Sequence, residues 1–109
     1  MIIVTCDTVP GREIAETFGL VRGNAVRARH IGKDIGALFK NIVGGEIPEY
    51  TKLLAEVREQ ALDRMCAEAR ARGADAVVCL RFASAEISTG AAEILAYGTA
   101  VKLVEHPTR

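Results

Sequence analysis

The chain has 109 residues, of which 50% are apolar and 26% are charged, and this composition predicts one globular domain with a single core. Its formal net charge is zero, which argues against a protein that coats nucleic acid through bulk electrostatics. No apolar run reaches the roughly 18 to 20 residues of a membrane span, and the N-terminus lacks the basic start of a signal peptide. We expect a cytoplasmic protein with one domain over residues 1–104 and a flexible tail over residues 105–109.

The three cysteines, Cys6, Cys66 and Cys79, are odd in number and far apart in the sequence. A complete disulfide framework is therefore excluded, and reduced thiols are expected. None of them belongs to a CxxC or CxxH pair. Cys66 and Cys79 lie on apolar patterns and are expected in the core, because free cysteine is among the most buried residue types. Cys6 is the one thiol expected near the surface.

The N-terminal third predicts two strands. The run "IIVT" from Ile2 to Thr5 is β-branched, and the Pro10-Gly11 pair that follows suits the central positions of a type II turn. Residues 12–26 mix apolar residues with Gly19 and Gly23, which predicts a long, bent strand with bulges.

Two helices are predicted next. Apolar residues recur at helical spacing from Ile35 to Val43, before the Gly44-Gly45 pair. A longer helix is predicted from Glu49 to Arg72, with Gly73 at the position where a left-handed cap favours glycine.

The C-terminal third predicts a hairpin. Residues 74–82 form an apolar run, residues 93–104 form its partner strand, and the polar segment 83–92 is the expected connection. Alternation along the last strand separates its side chains into two sets. One set is Leu95, Tyr97, Thr99, Val101 and Leu103, and the other is Ile94, Ala96, Gly98 and Ala100.

The order strand, strand, helix, helix, strand, strand predicts an α+β fold in which two helices pack on an antiparallel sheet. Two helices cover only one face of such a sheet, so the other face is expected to be apolar and to mediate self-association. A charge at Ala100, as in Ala100→Glu, is then expected to dissociate or unfold the assembly. The residues expected at this interface are Val78, Leu80, Ile94, Ala96 and Ala100.

Four segments carry a family resemblance: "FGLVRGNAV" (18–26), "DIGALFKNIVGGEIPEYTKLL" (34–54), "GADAVVCLRF" (73–82) and "AYGTAVKL" (96–103). In this order they resemble the YbjQ-like family of small bacterial and archaeal proteins, also called heavy-metal-binding domains. The resemblance covers nearly the whole chain. It implies a dodecin-like β-α-β subunit that assembles into a homopentameric ring, with stacking of rings as a further option. It implies no reaction, since the heavy-metal label is a conjecture.

The segment "VRGNAVRARHIGKD" from Val21 to Asp34 concentrates basic residues in an otherwise balanced chain. A helix start with basic side chains can hold a phosphate or carboxylate. In a ring, several copies of these residues would add to the positive electrostatic potential. The alternative, which we prefer, is that Arg27 and Arg29 form ion pairs between subunits. Their expected partners are acids such as Asp7, Glu13 or Glu16. The candidates for the anion or small-ligand site are Arg22, Arg27, Arg29, His30 and Lys33.

A second alternative is soft-metal binding by Cys6 and His30, with several copies brought together around a ring axis. No motif in the sequence indicates a particular metal or another cofactor. An enzyme is a third alternative, with its site between subunits. The sequence has neither a P-loop nor a dinucleotide fingerprint, and no base is placed beside a nucleophile. We therefore expect a non-enzymatic, ring-forming protein, with no nucleic-acid or membrane partner.

Overall fold

The computed structural model describes residues 1–28, 48–88 and 91–105. It contains five elements: β1 (Ile2–Ile3), β2 (Arg12–Ala28), α1 (Pro48–Ala71), β3 (Ala76–Ser88) and β4 (Ala91–Glu105). The strands form one sheet in the order β1-β3-β4-β2. β4 pairs antiparallel with both β2 and β3, whereas β1 pairs parallel with β3.

The predicted turn and bulges of the N-terminal third are confirmed. The Arg12 N–H donates to the Val9 carbonyl at 3.1 Å, and Gly11 has a φ of +79°, which is the geometry of a type II turn. β2 then shifts its register against β4 twice, between Ile14 and Glu16 and between Thr17 and Gly19. These shifts allow a 17-residue strand to bend while it stays paired.

The predicted long helix is confirmed as α1, and its C-terminus has the expected glycine cap. Gly73 has a φ of +83°, and its N–H donates to the Arg70 carbonyl at 3.0 Å. The Ala74 N–H donates to the Ala69 carbonyl at 3.1 Å. This pair of bonds is a Schellman motif, which satisfies carbonyls that the helix end would otherwise leave without donors.

The C-terminal hairpin is confirmed, but it is longer than predicted. β3 continues to Ser88 and β4 begins at Ala91, so the expected connection over 83–92 was wrong for most of its length. The small and polar residues of this segment extend the ladder, because strand pairing is set by the partner strand as much as by local composition. β4 also includes Glu105, the first residue of the predicted tail, whereas residues 106–109 lie outside the described residues.

The fold is α+β, with one helix on a four-stranded mixed sheet within the described ranges. The helix predicted over 35–43 lies outside those ranges, so a layer of two helices is not seen. The prediction of a purely antiparallel sheet was wrong, because the parallel β1–β3 pairing joins segments distant in sequence and leaves no local signal.

The main core lies between α1 and one face of the sheet. The helix buries one stripe, at a spacing of four residues, against β2 and β4. Small residues line the sheet below it and let the helix approach closely. At Gly23 a Cβ would lie 2.7 Å from the Cβ of Arg64 and would also contact the Met65 nitrogen and the Ala61 oxygen. The helical stripe comprises Leu53, Val57, Ala61, Met65 and Ala69.

The face assigned to the self-association interface was wrong for β4. Ile94, Ala96 and Ala100 lie beneath α1 in the core of a single chain. They cannot form an uncovered surface, because their side chains face the helix while the other set of β4 side chains faces the opposite way. Leu80 is half-buried beside the same core, and Val78 is buried in a second cluster. Ala100→Glu would therefore test folding rather than assembly.

The second cluster lies on the opposite face of the sheet, at one end. The segment that follows β1 contributes Val4 and Val9, which pack against it. The Val4 N–H donates to the Val77 carbonyl at 3.0 Å, and the Leu80 N–H donates to the Val4 carbonyl at 3.1 Å. The N-terminal segment therefore covers only this end of the second face. The buried members of the second cluster are Ala76, Val78, Val101 and Leu103.

Candidate functional site

The rest of that second face carries the candidate site. Directly opposite residues of antiparallel strands project to the same side, so the register places Leu20 beside Thr99, Arg22 beside Tyr97 and Val26 beside Glu93. We call this surface the open face. Its residues on β2 and β4 are Leu20, Arg22, Asn24, Val26, Glu93, Leu95, Tyr97 and Thr99.

The open face presents aliphatic surface to solvent. Leu20 is 55% exposed and Val26 is 50% exposed. Their neighbours along β2, Val21 and Ala25, face the other way and are buried under the helix. Leu95 and Tyr97 are half-buried between them. The open face therefore mixes exposed aliphatic side chains with Arg22, Asn24 and Glu93, and exposed aliphatic surface on a sheet is a feature of surfaces that partners cover.

The outer edge of β2, in contrast, is partly occupied by arginines of α1. Arg72 Nη1 donates to the Phe18 carbonyl at 3.1 Å and to the Leu20 carbonyl at 3.0 Å, and Arg64 Nη1 donates to the Asn24 carbonyl at 2.7 Å. A neighbouring strand would need these carbonyls as acceptors. The arginines therefore disfavour edge-to-edge pairing along this part of β2.

Arg22 is the one basic residue of the segment from Val21 to Asp34 whose side chain is described. It lines an open depression of about 470 Å³ together with Asn24, Leu95 and two acids, Glu68 and Glu93. The two carboxylates reduce the attraction of this depression for an anion.

The remaining candidates for the anion site are not tested. Arg27 belongs to β2, but the structure describes its backbone and not its side chain. Arg29, His30 and Lys33 lie outside the described residues. The anion site therefore stays a prediction.

Two of the three cysteines, Cys6 and Cys66, lie where the sequence predicts, and Cys79 is less buried than expected. Cys66 is buried in the core as predicted, and burial raises the pKa of its thiol. Cys6 is exposed and Cys79 is half-buried. The Cys79 N–H donates to the Cys6 carbonyl at 2.9 Å, so these two residues lie side by side on neighbouring segments.

The metal alternative that pairs Cys6 with His30 is not tested, because His30 lies outside the described residues. Within residues 1–28, 48–88 and 91–105, no group of three or more His, Cys, Asp or Glu side chains is arranged to hold a metal ion. The proximity of Cys6 to Cys79 was missed by sequence reasoning. No spacing motif joins them, and only the pairing of β1 with β3 brings them together.

One charged cluster fixes the end of the hairpin. Asp75 Oδ2 accepts the Leu103 N–H at 3.0 Å, and Asp75 Oδ1 lies 3.6 Å from Lys102 Nζ. The hydrogen bond from the Leu103 backbone, followed by the charge of Lys102, lowers the pKa of the Asp75 carboxyl. The cluster is structural, since it ties the start of β3 to β4 away from the open face.

A sequence model of a protein family, described as "Putative heavy-metal-binding", matches residues 1–104. The chain belongs to this family. The match confirms the resemblance to YbjQ-like proteins that the four sequence segments indicate.

Full-length relatives share the family. A UPF0145 protein of Archaeoglobus fulgidus is 60% identical over 103 residues, which cover 94% of this chain and 95% of the relative. A UPF0145 protein of Fervidobacterium nodosum is also 60% identical over 103 residues, with the same coverage of both chains. A UPF0145 protein of Clostridioides difficile is 54% identical, over 94% of this chain and 92% of the relative.

A crystal structure from Pediococcus pentosaceus, of a protein described as having unknown function and belonging to the DUF74 family, has a similar fold. The TM-score is 0.65 at 15% identity, and the alignment covers 95% of this chain and 98% of that chain. This likeness supports the α+β architecture. Within the described ranges, no helix combines the length and apolar character that crossing a membrane requires.

Proposed function

We propose that this family member is a non-enzymatic, self-assembling subunit that forms a ring through its open face. The ring would create a small-ligand or anion site from the basic stretch, at residues 22–33, that a single subunit lacks. The family resemblance favours five subunits. The observation that carries the proposal is the long sheet whose open face α1, the one helix within the described residues, leaves uncovered.

The dimensions of the layers support this proposal. A strand of 17 residues such as β2 spans about 55 Å, whereas a helix of 24 residues spans about 36 Å. The chain is accordingly elongated, with extents of 62 × 26 × 15 Å. Its radius of gyration is 18.1 Å, compared with about 13 Å for a compact domain of this length.

The amount of exposed surface gives the same indication. A folded monomer of 11.7 kDa exposes about 5,900 Å² on average, whereas this chain exposes 7190 Å². A second copy of the chain is the occupant that the open face fits. A closed ring needs a head-to-tail interface, so the open face would contact a different surface of the next copy. The open face is apolar at Leu20 and Val26 and carries charges of both signs at Arg22 and Glu93, so the surface that covers it would be apolar with charges of both signs.

Native mass spectrometry of the untagged protein, with light scattering at several concentrations, tests the proposal. The wild type is expected to be an oligomer of the 11.7 kDa subunit, with five copies if the ring expectation holds. Leu20→Lys and Val26→Lys are expected to dissociate it. Lysine at position 26 would face Glu93 across the strands, so the subunit fold should tolerate this change.

Val104→Lys is the matched control. Val104 is 47% exposed and lies on the face of β4 opposite to the open face, beside Glu13. Lysine there should leave the oligomer mass unchanged. A wild type that stays monomeric at all concentrations would overturn the proposal, as would open-face variants that assemble normally.

A further inference from the structure

We propose that Cys6 and Cys79 together bind one monovalent soft metal ion of the Cu(I) class, as a pair of thiolate ligands. This inference concerns the end of the sheet where β1 joins β3. It does not depend on assembly through the open face, and it would stand if that proposal failed.

The backbone brings the two cysteines together. The hydrogen bond of 2.9 Å from the Cys79 N–H to the Cys6 carbonyl joins their two segments directly. Neighbouring strands lie about 4.8 Å apart, and cysteines at such a separation can be linked through their side chains, as in disulfides with Cα atoms about 5.5 to 6 Å apart. A sulfur–metal–sulfur link is longer than a sulfur–sulfur bond, so the same backbone spacing can accommodate it.

Both cysteines lie next to the second cluster. Cys79 packs against the second cluster, to which Val4 and Val9 also belong. The Cys6 thiol donates to the Thr8 carbonyl at 3.0 Å, next to Val9. The backbone hydrogen bond and the packing of Cys79 thus place both cysteines beside this cluster. One of them is exposed and the other is half-buried, so an ion can enter from solvent.

A cationic side chain is fixed beside the two cysteines. Arg81 Nη1 donates to the Thr5 carbonyl at 3.0 Å and to the Leu80 carbonyl at 2.8 Å, and these residues flank the two cysteines. Binding releases the two thiol protons to solvent and forms two sulfur–metal bonds, with no change in oxidation state. The two thiolates and the cation leave one negative charge, which the charge of Arg81 balances.

The number of ligands selects the class of ion. Thiolates prefer soft ions such as Cu(I) and Zn(II), but a structural zinc site takes four ligands. Within the described part of the chain, no cluster of three or more potential ligands exists. Two thiolates satisfy a Cu(I) ion in linear coordination, which makes Cu(I) the ion that this pair fits.

Titration with Cu(I) under anaerobic conditions, in competition with bathocuproine disulfonate, tests the proposal. The wild type is expected to retain one Cu(I) per subunit. Cys6→Ser and Cys79→Gly are each expected to lose it. Glycine suits position 79, because Cys79 has a φ of +58° and glycine adopts this conformation without strain. Cys66→Ala, which removes the buried thiol of α1, is the matched control and should keep the ion.

Alkylation of the wild type with iodoacetamide provides a readout that requires no variant. Bound Cu(I) should protect Cys6 and Cys79 together, as read by peptide mass spectrometry. Protection of only one of them, or of neither, would overturn the proposal. So would retention of Cu(I) by the Cys79→Gly variant. Circular dichroism and the subunit mass of each variant separate loss of the ion from loss of the fold or of the assembly.

Discussion

Replacing Gly23 with alanine tests the close contact between α1 and β2. The added Cβ would meet the Met65 nitrogen, the Ala61 oxygen and the Cβ of Arg64, the last at 2.7 Å. Carbon atoms in ordinary contact lie about 3.5 to 4.0 Å apart. Two of the three atoms belong to the helix backbone, so no rotation of a side chain can relieve the overlap and the helix must move away from the sheet.

The expected loss of stability follows from this geometry. Inserting a methyl group into a well-packed core costs typically 1 to 3 kcal/mol, and a backbone obstacle favours the upper end, about 3 kcal/mol. With a urea m-value of about 1.5 kcal/mol/M, the unfolding midpoint should fall by about 2 M. Gly19→Ala is the matched control: its Cβ would meet nothing within 4 Å, but its φ of +92° should cost about 1 to 2 kcal/mol from the backbone alone.

Urea unfolding followed by circular dichroism, at one subunit concentration for all variants, measures both effects. The midpoint of Gly23→Ala should lie below that of Gly19→Ala. A second substitution, Arg64→Gly, removes one of the three contacts but leaves the two backbone atoms, so it should not restore stability. A midpoint equal to that of the wild type, or full rescue by Arg64→Gly, would refute the assignment of Gly23 as the point of closest helix approach.

Two further predictions concern the core and the hairpin end. Met65→Ala should lower the free energy of unfolding by about 2 to 5 kcal/mol, since Met65 is fully buried; a change below 1 kcal/mol in urea unfolding would contradict the packing. The lowered pKa of Asp75 means that its stabilisation is complete above its ordinary pKa of 3.8 and is lost as the pH falls through the lower folded-state value. In Asp75→Asn, the urea midpoint should therefore depend less on pH in the acid range than it does in the wild type. An unchanged dependence would show that the Leu103 and Lys102 contacts do not stabilise the folded state.

Local features of this chain could be predicted from the sequence because a few adjacent residues determine them. The type II turn depends on Pro10 and Gly11, and the end of α1 depends on Gly73 in the left-handed region. The alternation along β4 also separated two sets of side chains correctly. What alternation could not decide is which set the helix covers, since both are apolar.

The helix covers the set with smaller side chains. Gly23 and Gly98 lie on that face together with Ala96 and Ala100, and small residues allow an α-helix to approach a sheet closely. This pattern of residue size was a signal in the sequence that the prediction did not use. The face predicted as the interface, which carries Ile94, Ala96 and Ala100, is therefore buried under α1, and the exposed surface is the open face.

The positions of β2 and α1, the turn at Pro10-Gly11 and the cap at Gly73 could be read from the sequence, because they depend on residues close together in the chain. The ends of β3 and β4, the parallel pairing of β1 with β3, the face that α1 covers and the meeting of Cys6 with Cys79 depend on the tertiary structure. Such contacts join residues far apart in the chain. Their free energy depends on the packing of the whole sheet, which no local stretch of sequence encodes.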